Sequence, residues 1–116
     1  MKLKIREKAR KFFVGLKHDI ELSDCGEIHL DPNEQLTFSD ENGNEYDVCK
    51  KDWGYYATPS LNGRLDNFDF YSALVMNKNT FKKYIMLVHK DKVHLFDDYC
   101  NKEDQEVIFW LNRGDL

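Results

Sequence analysis

From Asp19 to Val48 the chain repeats with a period of two. Ile20 and Leu22 alternate with Asp19, Glu21 and Ser23, and Ile28 and Leu30 alternate with Glu27 and His29. Leu36 and Phe38 alternate with Gln35, Thr37 and Ser39, and Tyr46 and Val48 carry the pattern on. Successive strand side chains point to opposite faces, so this spacing describes half-buried strands, wet on one side and dry on the other. Breaks are expected at Cys25-Gly26 and at Asp31-Pro32-Asn33. Asp40-Glu41-Asn42-Gly43-Asn44 reads as a hairpin turn, because Asn-Gly accepts the positive φ angles that a tight turn needs.

Two later strands, over 68–76 and 81–89, contain runs that do not alternate. The runs are Ala73-Leu74-Val75-Met76 and Tyr84-Ile85-Met86-Leu87-Val88, and Asn77-Lys78-Asn79-Thr80 joins the two strands. Unbroken apolar runs of this length predict central strands covered on both faces. Val107 to Leu111 predicts a last strand. Two stretches carry helical spacing instead. Ile5, Ala9, Phe12, Phe13 and Leu16 recur every three or four residues, which predicts a helix over 3–16 with Lys4, Lys8 and Lys11 on its far side and Gly15 as its stop. Asp91 is expected to cap a helix over 92–101, with Val93, Phe96 and Cys100 on its apolar face.

This order predicts the α+β class. A single domain over 1–116 is expected, with a largely antiparallel twisted sheet curling toward a half-barrel, an N-terminal helix and one helix in the C-terminal half. A 41% hydrophobic fraction is enough for one core.

The net charge of −4 argues against a nucleic-acid partner for the molecule as a whole. Charge is unevenly placed: seven basic residues and one acid up to His18 leave a balance of +6 there and −10 in the remainder. A basic amphipathic helix at that end can lie on an anionic membrane, dock on nucleic acid, or bury its Phe12/Phe13 face on the sheet; the last is the common pattern of a docked helix. Cys25, Cys49 and Cys100 are odd in number and widely spaced, which predicts reduced, buried, inert thiols in a cytoplasmic protein. No secretory signal and no membrane span are expected. His89 with His94, and His18 with Cys25 and His29, do not match zinc-ligand spacing, so no metal and no cofactor is expected.

One segment differs from the rest. Between about Asp52 and Asn67 the chain gathers Trp53, Gly54, Tyr55, Tyr56, Thr58, Pro59, Ser60, Asn62, Gly63 and Arg64. Read as an irregular loop, it is longer than an ordinary connection, and long loops in compact domains often carry function. Trp53, Tyr55 and Tyr56 would supply flat walls for a sugar ring or a base. Ser60 and Asn62 would bond hydroxyls, and Arg64 would clamp a phosphate or carboxylate. The alternative is an ordered loop capping the core, with Trp53 and Tyr56 turned inward and Arg64 paired to Asp66 or Asp69. Asp47 and Asp52 would form an acid–base pair with Tyr55 as proton donor, and a small isomerase or lyase would use Asp52 and Tyr55. G-x-S-x-G, P-loop and G-x-G-x-x-G motifs are missing, so the standard nucleophile elbow and nucleotide cradles are not encoded.

Tyr46-Asp47-Val48 followed by Lys51-Asp52-Trp53-Gly54-Tyr55-Tyr56-Ala57-Thr58-Pro59-Ser60-Leu61-Asn62-Gly63-Arg64-Leu65 resembles a family of small uncharacterised bacterial proteins. Lys92, Phe96 and Tyr99, and Val107 with Trp110-Leu111, resemble its C-terminal half. The resemblance covers about residues 25 to 111. It implies a link to gene clusters for surface-polysaccharide and modified-sugar synthesis, and it implies no catalytic residue. The expected function is binding of a small polar or anionic ligand, a nucleotide-sugar or saccharide intermediate. A protein-interaction module using the same aromatic segment is the alternative, since Trp, Tyr and Arg dominate protein interfaces.

Overall fold

The computed structural model describes residues 1–113; the last three residues of the expected domain lie outside them. The element order is β1 (Lys2–Val14), β2 (Ile20–His29), β3 (Gln35–Ser39), β4 (Glu45–Lys51), β5 (Gly54–Ala57), α1 (Arg64–Asn67), β6 (Phe70–Asn77), β7 (Lys83–His89), a 3₁₀ turn over Lys90–Lys92, α2 (Val93–Lys102) and β8 (Gln105–Trp110). The class is α+β, strand-rich, and the defined pairings are antiparallel. Among the described residues the strands form three sheets, ordered β1-β2, β3-β4-β5 and β7-β6-β8, rather than the one twisted sheet expected. The chain divides into two compact units, Met1–Phe38 with Asp47–Thr58, and Ser39–Tyr46 with Pro59–Leu116.

In the first unit the expected N-terminal helix is a strand. β1 pairs with β2, with Lys2 opposite His29 and Val14 opposite Ile20. The helical spacing has a physical source. Between Ile5 and Arg10 the register shifts, because β1 spends more residues there than β2 does. Ile5 lies opposite Gly26 and Phe12 opposite Leu22. Gly26 and Leu22 are four apart on one strand and share a face, so Ile5 and Phe12 share it too. Seven residues apart, they could not do so on an unbroken strand, but they would on a helix. Gly15 (φ 96°) opens the connecting turn instead of ending a helix.

Cys25-Gly26 was expected to separate two strands, yet β2 runs through it. Gly26 sits where a Cβ would lie 2.3 Å from the Lys4 carbonyl oxygen, so the two backbones come together only around a glycine. Asp24 bridges the distorted stretch. Its carboxylate accepts bonds from the Arg10 guanidinium at 3.1 Å and from the Gly26 N–H at 3.2 Å, with Arg6 at 3.5 Å. These bonds, Arg10 first, hold the Asp24 carboxyl below the usual carboxylate range.

In the second unit β6 is the central strand. Ala73 faces Met86 on one side and Trp110 on the other, and both Ala73 and Val75 are fully buried. α2 lies against β8: the Phe96 and Trp110 rings meet edge to face at 5.8 Å, and Trp110 meets Tyr71 likewise at 5.7 Å. Cys100 is buried on the same helix, as its spacing with Val93 and Phe96 predicted, and burial raises its thiol pKa. β7 is an edge strand and not the covered central strand expected; Tyr84 and Ile85 are exposed on it. Asp91 does not cap α2. It lies inside the 3₁₀ turn, and Lys92 holds the N-cap position with no side-chain bond. No helix among the described residues is long and apolar enough to cross a membrane.

Candidate functional site

The aromatic segment is not one irregular loop. β4 and β5 form a tight hairpin, with Lys51 opposite Gly54 and only Asp52-Trp53 between them. The turn carries its rings outward: Trp53 is 68% and Tyr55 62% exposed, and Tyr56 is exposed as well. The Trp53 and Tyr56 rings lie 20° from parallel with centroids 6.1 Å apart. The Lys50 ammonium sits 4.9 Å over the Tyr55 ring while donating to the Lys51 carbonyl. Exposed and nearly parallel, the Trp53 and Tyr56 rings make an aromatic platform at the hairpin tip, not the inward-packed cap of the alternative reading.

Ser60, Asn62 and Arg64 lie in the second unit, so the six residues expected to share a pocket divide between the two units, three in each. Pro59 to Gly63 is a folded turn leading into α1. The Ser60 carbonyl accepts the N–H groups of Gly63 at 3.2 Å and Leu65 at 3.1 Å. A Cβ at Gly63 would sit 2.4 Å from the Ser60 hydroxyl oxygen, a contact that rotation of the Ser60 side chain relieves. Leu65 is driven inside, 1% exposed, while Asn62 and Arg64 stay outside. Leu65 turns inward where the ordered-loop alternative has Trp53 and Tyr56. Asp66 pairs with Lys90.

The acid–base candidates do not share a setting. Asp47 is buried on β4 and accepts a bond from the Thr58 hydroxyl at 3.2 Å. Asp52 and Tyr55 are exposed on the hairpin, outside the water-excluding surroundings that acid–base catalysis exploits. Among the described residues no group of three or more His, Cys, Asp or Glu side chains could hold a metal ion.

A second constellation was not foreseen. The turn over 40–44, Asp69 and the 3₁₀ turn border a cleft of about 520 Å³ in the second unit. Asp40 organises it. Its Oδ1 accepts the N–H groups of Asn42 and Asn44, both at 3.0 Å, and its Oδ2 lies 3.3 Å from His89 Nε2. Asn44 Nδ2 lies 3.4 Å from His89 Nδ1, and the Phe70 ring lies 4.5 Å from the imidazole. His89 is therefore held on three sides. Asp69 stands in the left-handed region (φ 60°), with its carbonyl accepting the Lys90 N–H at 2.9 Å. The hydrogen bond from Lys90 to Asp66 raises the ammonium pKa and fixes that side chain beside the cleft.

No protein-family model, curated protein or solved structure matches the chain.

Proposed function

We propose that this is a binding protein for saccharides or nucleotide-sugars of bacterial surface-polysaccharide synthesis, working in the cytoplasm, with the β4–β5 hairpin as its binding element. One observation carries the reading: Trp53 and Tyr56 present nearly parallel exposed rings 6.1 Å apart. The apolar C–H face of a pyranose ring stacks on exposed indole and phenol faces with little entropic cost to such rigid side chains. Lys50 and Tyr55 form a separate cation–π pair, on the other face of the hairpin from Tyr56. Arg64, Ser60 and Asn62 are not needed for this contact.

The test is an amide chemical-shift titration with nucleotide-sugars, sugar phosphates, neutral glycosides and plain nucleotides. Saturable shifts over 50–57, lost in Trp53→Ala, are expected. Shifts at this hairpin with plain nucleotides alone would replace the sugar by the base as the stacked group. A silent panel with a dispersed spectrum would refute small-molecule binding. It would favour the alternative, a protein partner docking on the same rings, which the 68% exposure of Trp53 supports.

A further inference from the structure

The cleft in the second unit is built by parts of the chain far apart in sequence, and it carries charges of both signs. Lys90 and Lys92 border it with Asp69 and Asp91, while Asp66 stands against Lys90 and Asp40 against His89. We infer that this cleft is a separate binding site for an uncharged polyhydroxylated ring, a neutral saccharide. The inference shares a ligand class with the hairpin reading but none of its residues.

Three features point to that class. First, acids outnumber lysines around the cleft, so a phosphate or carboxylate meets no net attraction: Asp66 already pairs with Lys90, and Asp69 and Asp91 oppose Lys92. Second, each hydroxyl of a sugar both donates and accepts. The cleft offers carboxylate acceptors from Asp69 and Asp91 and donors from Lys92 and the Asn42 amide. Among the described residues these four side chains make no hydrogen bond or ion pair with the protein, so their polar atoms are available to a ligand. Third, the wall behind them is preorganised. His89 is clamped by Asp40, Asn44 and Phe70, and a locked wall spares a ligand the entropy of ordering it. The volume of about 520 Å³ falls in the range of small-ligand sites.

The experiment uses the whole chain, as wild type and as Trp53→Ala. Methyl glucoside, methyl galactoside, methyl mannoside and N-acetylglucosamine are titrated in turn, with inorganic phosphate as the charged control. The readout is the ring C–H resonances of His89 and the side-chain amides of Asn42 and Asn44. At least one sugar is expected to move them saturably in both proteins, and phosphate is not. Asp91→Ala is expected to weaken that response about ten-fold, as loss of a hydrogen bond to a charged group does. Asp91 is exposed on the 3₁₀ turn, and Lys92→Ala, equally exposed, is the companion variant if Asp91→Ala fails to fold. The inference falls if no sugar moves the His89 ring, if phosphate moves it and sugars do not, or if Trp53→Ala abolishes the response. The hairpin reading is scored apart, on residues 50–57 in the wild type.

Discussion

Replacing Leu65 by Ala tests whether the turn after the aromatic hairpin is a structural cap rather than a ligand loop. Leu65 is 1% exposed, at the second position of α1, and that helix packs on β6. The substitution removes three buried carbons and leaves a cavity that the short, hydrogen-bonded turn can only partly collapse. Leu→Ala at such a site costs about 3 kcal/mol, within a range of roughly 2–5. With a urea m-value of about 1–1.5 kcal/mol/M for a small domain, the midpoint should fall by about 2 M. The assay reads the second unit alone: in a Trp53→Phe background the remaining tryptophan is Trp110, packed against Phe96 and Tyr71. Leu61→Ala is the control, since Leu61 is exposed on the same turn and should cost less than about 1 kcal/mol. A midpoint change below about 0.5 M for Leu65→Ala, or equal changes for both variants, would refute the cap and return the whole segment to the pocket reading.

Gly26→Ala should loosen the β1–β2 ribbon by more than about 1 kcal/mol, because the new methyl meets the Lys4 carbonyl; amide exchange across β1 and β2 should speed up while β6 stays protected, and unchanged exchange would contradict the close approach. Asp24 has its pKa lowered by Arg10 and Gly26, so its contribution is present above the ordinary carboxylate value of about 3.9 and is lost as pH falls through the lower folded value. Ribbon amide exchange should accelerate on acidification below about pH 4 in the wild type and lose that dependence in Asp24→Asn; a ribbon insensitive to acid would count against it. Thiol labelling of the native protein near neutral pH should modify Cys25 first, since it is exposed while Cys49 and Cys100 are buried; equal rates at all three would contradict that burial.

What could be read from sequence was what nearest neighbours decide. The 40–44 turn follows from Asn-Gly and from the short reach of Asp40 to the N–H groups two and four residues on. β6 and β7 follow from their apolar runs, and the buried face of α2 from Val93, Phe96 and Cys100. β1 failed because the register shift between Ile5 and Arg10 rephased a period of two into a spacing that a helix also produces. No local propensity marks that shift; it exists only in the pairing of β1 with β2. The hairpin behind Trp53 stayed hidden because β5 has only four residues and begins at a glycine, so rings and turn residues looked like loop composition.

The two candidate surfaces differ in the same way. The platform was visible as composition, because Trp53, Tyr55 and Tyr56 lie within four residues. The cleft was invisible, because its organiser Asp40 and its imidazole His89 are 49 positions apart and neither belongs to a motif. Asp40 reads as a turn residue and is one, but a carboxylate has two oxygens. Oδ1 is used up by the turn's own N–H groups, while Oδ2 is turned to His89 Nε2. A turn alone needs only the first. Asn at position 40 would keep an acceptor for the turn while placing an amide opposite His89 and removing the negative charge. Asp40→Asn should therefore leave the hairpin amides nearly unchanged and shift the His89 ring resonances. If both sets stay put, Asp40 serves the turn alone and the cleft loses its organising group.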